Sequence, residues 1–284
     1  MKRLLAIIMS CLTAVACCFA FTACGDDDTI YVDTNAFFAP FEYYDGTEIV
    51  GVDIDIMNKV GDKLGKKVKF ENTDFGIIID NVSQGKKYDC GAAGITITEA
   101  RQKLVDFSNP YFTSIQYVIC KASDSELIGN VKTATDGTEC LFWTDLAGKR
   151  IGVQADTTGD IYVNLEINGE GEPSDEDYYP GELNGSGATC IKYDNAQLAV
   201  DAINANKVDV VVVDKLPAEY ICGKNADFVC KALYYDADTA TEEQYAICVT
   251  KGKTELLEAI NAVLAELGTE GVNKLVAKHL GIEG

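Results

Sequence analysis

The chain has 284 residues, a formal net charge of −21 and only five prolines. Such acidity argues against a nucleic-acid partner, whose phosphates need Lys and Arg for neutralisation, and against lying along an anionic membrane surface. The length allows one large domain or two lobes, with enough core to need no disulfide staples.

The N-terminus reads as an export signal. Lys2 and Arg3 are the only charged residues before Asp26, and Leu4 to Phe21 is almost entirely apolar or small. A basic start, an apolar run and small residues before Cys24 fit a signal peptide over 1–23. The run is too short, and lacks the basic flank, for a membrane anchor. Phe21-Thr22-Ala23-Cys24 resembles a bacterial lipobox, with Phe21 where leucine is usual. Two acyl chains on Cys24 would give stable attachment, with 24–28 as a tether. The later cysteines, Cys90, Cys120, Cys140, Cys190, Cys222, Cys230 and Cys248, form no CxxC or Cys/His set, so no metal site is expected. Cys222 and Cys230 flank a short loop and are the pair placed to bond.

Thr29 to Asp33 starts a strand. Residues 34–43 (TNAFFAPFEY) form an aromatic loop whose proline excludes helix, suited to sealing a surface or stacking a ligand. Val52, Ile56, Met57, Val60 and Leu64 mark a helix face ending at Gly65. Val68 to Glu71 is the next strand, Phe75 to Val82 a helix capped by Asp74, and Tyr88 to Ala93 a third strand. Small residues follow (Ala93, Gly94), then Thr96, Thr98 and Arg101. These let a ligand approach the backbone and supply hydrogen bonds and a carboxylate fork. The bland alternative is a turn with Thr98 as N-cap and Arg101 as a solvated helix residue. Strand–helix alternation predicts an open α/β sheet, and ligands bind beyond the carboxyl ends of such strands. The aromatic loop, Phe75 and Ala93 to Arg101 all follow strand ends.

Gln116 to Cys120 is a strand and Lys121 to Leu141 reads as loop. Ile151 to Val153 leads into a helix N-terminus at Asp156-Thr157-Thr158, a carboxylate-binding element or a plain cap. Asn164 to Ala188 is an acidic surface excursion. Thr189 to Tyr193, a helix over 195–205 and the buried strand Val208 to Val213 follow. Asp214 then either caps the next helix or faces a cleft, where it would pair with an ammonium group. Gln244 to Thr250 is a strand, and helices cover Thr254 to Leu267 and Gly271 to Leu280. His279, the only histidine, is expected to pack rather than to act.

TNAFFAPFEY (34–43), GVDID (51–55), AGITITEAR (93–101), VDFSNPY (105–111), IGVQ (151–154), VDVVVVD (208–214) and QYAI (244–247) occur in an order that resembles the polar amino acid-binding receptors of ABC importers, solute-binding protein family three. The glutamine-binding and lysine/arginine/ornithine-binding proteins are similar. The resemblance implies a two-lobed Venus-flytrap α/β fold of two open mixed sheets flanked by helices. Lobe one would comprise 29–112 and the return 246–284, and lobe two 113–245 with the hinge strands. It implies a monomeric extracytoplasmic lipoprotein with no cofactor, whose partners are an amino acid, the permease subunits and the membrane.

By position, Arg101 would grip the ligand carboxylate, helped by Thr96 and the Thr157 and Thr158 N–H groups. Asp214, the Gly94 carbonyl and the Thr96 hydroxyl would take the ammonium. Phe38 and Phe75 would sandwich the side chain beside Ala93. Asn35 and Gln154 would read its chemistry, the neutral Asn35 favouring a polar or neutral amino acid. Asp156 stands where the family usually has glycine, and its carboxylate would repel the ligand unless it turned away to cap the helix. The resemblance also admits a periplasmic cyclohexadienyl dehydratase, with Glu42 as its acid, or a free ligand-sensing subunit.

Overall fold

The computed structural model describes residues 28–282; the leader, Cys24 and the tether up to residue 27 lie outside the described residues. Two mixed sheets organise the chain. The first runs in the order Lys67–Asn72, Thr29–Thr34, Cys90–Gly91, Cys248–Val249, Asp106–Phe107. Thr29–Thr34 is parallel to both neighbours, so Val32 pairs with Phe70 on one side and Cys90 on the other. Val52, Ile56, Met57 and Val60 bury one face of the helix Val52–Leu64 in the same cluster as Ile30 and Val32. Ile78 and Val82 of the helix Ile78–Gln84 join a separate cluster with Ala93, Ile95 and Cys248. Helices thus cover both faces, as parallel strands require.

The second sheet runs Thr189–Tyr193, Arg150–Gln154, Val210–Asp214, Phe112–Lys121, Phe228–Tyr234, Glu139–Phe142, Lys132–Thr133. Arg150–Gln154 is parallel to Thr189–Tyr193 and to Val210–Asp214. Phe37–Phe38, Glu42–Asp45 and Glu48–Val50 form a small antiparallel sheet within the aromatic segment. The strand Phe112–Lys121 serves two ladders. Gln116 onward pairs inside the second sheet, while Phe112 to Ile115 pairs antiparallel with Glu242–Tyr245. That second strand leads back to Cys248–Val249 of the first sheet, so two adjacent strands join the sheets.

Several elements differ from the sequence expectation. Residues 121–141 are not loop: the helix Ser125–Gly129 and the strands Lys132–Thr133 and Glu139–Phe142 lie there. Leu127 and Leu141 anchor them in the core around the fully buried Trp143, contacts too distant in sequence to show as periodicity. The acidic excursion is tied down by Glu166, buried in the helix Thr158–Asn168. Its Oε2 accepts from the Tyr179 hydroxyl at 2.6 Å and from the Glu182 amide at 2.8 Å. The last stretch, Thr254–Leu280, by contrast matches the expected pair of helices, which meet at a kink at the non-helical Gly268. Cys222 and Cys230 are free thiols. His279 packs on Tyr43, its two ring nitrogens facing the Tyr43 hydroxyl and Asp55.

Gly51 is where the aromatic segment locks onto the first helix. Its φ is +140°, and a Cβ there would lie 2.0 Å from the Phe41 carbonyl oxygen. That carbonyl accepts the Asp53 amide at 3.0 Å, so it has no room to retreat. Gly51→Ala is therefore expected to destabilise by about 3 kcal/mol or more. Gly46→Ala, with φ +61° and open space around it, should cost only about 1–2 kcal/mol. Urea titration of both variants checks the contrast.

Candidate ligand-binding site

The parallel ladders place the chemistry. Asn35 and Phe38 follow Thr29–Thr34, Phe75 follows Lys67–Asn72, and Ala93, Gly94 and Thr96 follow Cys90–Gly91, all at one edge of the first sheet. Gln154 and Asp214 are the terminal residues of two parallel strands of the second sheet, with Thr157 and Thr158 just beyond. These ten residues line one cavity of about 10 Å³, so the two walls are nearly in contact. Larger depressions exist. One of about 550 Å³, lined by Lys66, Lys86, Lys87 and Lys253, lies at the opposite, N-terminal end of the first sheet's parallel strands. Another, of about 300 Å³, is mainly apolar. The small cavity is the better candidate because buried polar groups from both walls, Asn35, Thr96, Gln154, Thr158 and Asp214, converge on it.

Arg101 completes one end. Thr98 does cap its short helix, accepting the Arg101 amide at 3.2 Å, yet Arg101 is not solvated: it is only 9% exposed. Its Nη1 donates to the Thr96 carbonyl at 2.8 Å and its Nη2 to the Asp156 carbonyl, on the opposite wall, at 3.2 Å. The guanidinium lies 5.4 Å from the centre of the Phe75 ring, a cation–π arrangement. Burial lowers the Arg101 pKa, and acids including Glu243 and Asp214 oppose that shift.

Asp156 does not cap the helix. Thr157 does, its hydroxyl oxygen accepting the Asp160 amide at 3.3 Å. Asp156 has φ +63°, the left-handed region that favours glycine. Its carboxylate lies over Gly76 of the opposite wall, within 2.2 Å of where a Cβ on Gly76 would stand. Gln154 Nε2 donates to Asn35 Oδ1 at 3.1 Å, and Asn35 Nδ2 to the Thr73 carbonyl at 2.7 Å. Gln154 Oε1 is buried and meets no donor among the described residues.

Asp214 occupies the N-cap position of the helix Lys215–Lys224 but makes no capping bond. Its Oδ2 accepts the Tyr245 hydroxyl at 2.5 Å, and its Oδ1 accepts Gln116 Nε2. The same Nε2 donates to Glu243 Oε1 at 2.5 Å. Burial, then the neighbouring Glu243, pushes the Asp214 pKa well up. Gln116, Glu243 and Tyr245 escaped sequence reasoning. They lie in plain strand patterns, and a charged Glu243 beside Glu242 looks like a solvated edge.

Glu42 does not line the cavity. It is fully buried, and neither carboxylate oxygen meets an N–H or hydroxyl donor among the described residues. Burial first, then the Asp53 charge, holds its pKa far above the usual carboxylate range. The Asp53 carboxylate beside it accepts the Tyr111 hydroxyl at 2.6 Å and the Gly94 amide at 3.0 Å. The pair props the Gly94 turn from behind, which removes the acid a dehydratase would need.

Comparison with known proteins decides the family. The model of bacterial extracellular solute-binding proteins, family 3, matches residues 30–282. The chain belongs to that family. It is therefore an extracytoplasmic binding protein rather than an enzyme. The chain is similar to the arginine-binding extracellular protein ArtP of Bacillus subtilis (strain 168), with 26% identity over 95% of this chain and 94% of that protein. It is also similar to an ancestral arginine-binding protein solved with arginine, at 32% identity and a TM-score of 0.70 over 88% of this chain and 97% of the other. A structure of an ancestral arginine-binding protein bound to glutamine gives 32% identity and a TM-score of 0.70 over 89% of this chain and 98% of the other. Among the described residues of this solute-binding protein, no helix is long and apolar enough to cross a membrane.

The Glu42–Asp53 pair makes a pH prediction. Burial raises Asp53 to about 6 and Glu42 further. A carboxyl whose folded pKa exceeds its unfolded value stabilises most below the unfolded value, and that stability is lost as pH rises through the folded pKa. Glu42→Gln keeps the shape and removes the titration of Glu42. Its Tm should match wild type near pH 4 and exceed it by at least about 2 °C at pH 7.5. Melting curves across this range check the crossover.

Proposed function

We propose that the protein is the receptor of an amino acid ABC importer, attached outside the cell through lipidated Cys24, acting as a monomer and handing its ligand to the permease subunits. The two lobes are 29–112 with 246–284, and 113–245. The observation that carries the reading is a buried acid and a buried cation at one small site: Asp214 lines the cavity, and Arg101 bonds the carbonyl of Thr96 and lies over the ring of Phe75, two of the lining residues. A free amino acid is a zwitterion and needs such a pair: a guanidinium fork for the carboxylate and an acid for the ammonium. Arg101 has five N–H donors, and its two bonds to carbonyls leave others for the ligand.

The side-chain end supports a polar, neutral amino acid. Asn35 and Gln154 are uncharged amides, and the unpartnered Gln154 Oε1 asks for a donor. A ligand amide or other N–H would supply it. An ancestral arginine-binding protein that also holds glutamine is consistent with an amide fitting such a site. The walls almost touch, so an amino acid is seated only after they part. Its contacts with both walls then favour the closed arrangement by their differential affinity, and that form would engage the permease.

A thermal-shift screen of the purified protein against the common amino acids and cystine tests this. At least one ligand should raise the Tm, since ligand binding to the native state stabilises it. Calorimetric titration should show Arg101→Ala weakening that ligand about 100-fold or more. A panel in which nothing binds defeats the reading, as does an Arg101→Ala variant with unchanged affinity.

A further inference from the structure

Glu243 stands between the two walls on the strand Glu242–Tyr245 and is only 4% exposed. Its Oε2 accepts two hydroxyls, from Thr96 on one wall at 2.6 Å and from Thr158 on the other at 2.6 Å. Its Oε1 accepts Gln116 Nε2. In both bonds the threonine hydroxyl is the donor. A hydroxyl has a single hydrogen, and here both hydrogens are committed to Glu243. What Thr96 and Thr158 can present to the cavity they line is therefore lone pairs. Their oxygens are 3.5 Å apart, close enough to serve one group between them, and Asp214 lines the same cavity.

Three acceptors suit an ammonium, which brings three N–H donors, and they repel a carboxylate. Resting on the amino acid reading above, we propose that Glu243 is a positioning residue: it holds the Thr96 and Thr158 hydroxyls turned away from the cavity, so that this pair receives the ligand's ammonium and leaves the carboxylate to Arg101. The resemblance already gives the Thr96 hydroxyl to the ammonium; what is added is that Glu243 fixes that polarity and extends it to the Thr158 hydroxyl. It also gives the site a polarity, with the ammonium towards the hinge strands and the carboxylate towards Phe75 and Arg101. Gln116 is the partner that lets two acids sit side by side, since its one amide nitrogen bridges Asp214 and Glu243.

The test compares the best amino acid from the screen with its des-amino analogue, the same acid carrying hydrogen in place of the ammonium. Affinities come from calorimetry, or from displacement where binding is weak. In Glu243→Gln the single amide oxygen cannot serve both Gln116 and the threonine pair; keeping the Gln116 bond turns the amide N–H groups toward both threonines, so the hydroxyl polarity is broken. It should weaken the amino acid about 10- to 100-fold and leave the des-amino acid within about twofold, so that discrimination collapses. Thr158→Val, which keeps shape and deletes one acceptor, should act in the same direction and serves if Glu243→Gln melts early. Equal loss of both ligands in Thr158→Val would mean that the hydroxyl donates to the carboxylate, and would overturn the proposal. Unchanged discrimination in either folded variant would overturn it too. If wild type binds no amino acid, the receptor reading itself falls, a result distinct from binding that ignores Glu243.

Discussion

Every contact across the cleft depends on one antiparallel pair, Phe112–Ile115 against Glu242–Tyr245. A ladder of backbone hydrogen bonds resists shear but bends readily, because it is only two strands wide here. Its register also decides which side chains enter the cleft. Phe112 opposite Tyr245 and Ser114 opposite Glu243 place the buried Glu243 and Tyr245 at the meeting of the two sheets. A slip of one residue would turn those side chains to the other face. The isolated bridge between Thr96 and Tyr245 ties the site loop of the first sheet to the same strand. The hinge and the floor of the site are thus one element.

The electrostatics follow from that arrangement. Asp214 and Glu243 are both buried acids, and Glu42 and Asp53 form a second buried pair behind Gly94. Arg101 is the buried cation near the first pair. Burying charge is costly unless it is paired and hydrogen-bonded. The two acid pairs meet that cost differently. Burial and the neighbouring Asp53 charge raise Glu42 well above the usual carboxylate range, which favours its neutral form and makes that pair structural. Asp214 and Glu243 instead share an amide and collect hydroxyls from residues on both walls, so their fields reach the cavity.

Asp156 shows how close the walls come. Its left-handed backbone turns its carbonyl to the Arg101 guanidinium and its carboxylate over Gly76. A non-glycine residue held at positive φ costs about 1–2 kcal/mol, and here the same conformation supplies a contact between the walls.

The strand–helix alternation, the gathering of the aromatic loop, Phe75 and the Ala93–Arg101 run at strand ends, and the helix start at Thr157 and Thr158 were all legible in the sequence. They are local: apolar periodicity, small residues after a strand and capping residues each act within a few positions. The sequence read alone also left a choice at Arg101 between a solvated helix residue and a buried fork, and at Asp214 between a cap and a cleft acid. Only the tertiary structure decided these, because burial depends on what another strand brings alongside. The same holds for Glu42, whose partner Asp53 lies across a turn, for the core position of residues 121–141, and for the Tyr179–Glu166 tether. Glu243 is the clearest case. Nothing within ten residues of it distinguishes it from the exposed Glu242. Thr96, Thr158 and Gln116 reach it from 147, 85 and 127 positions away, and only the chain's return to the first sheet brings them to one carboxylate.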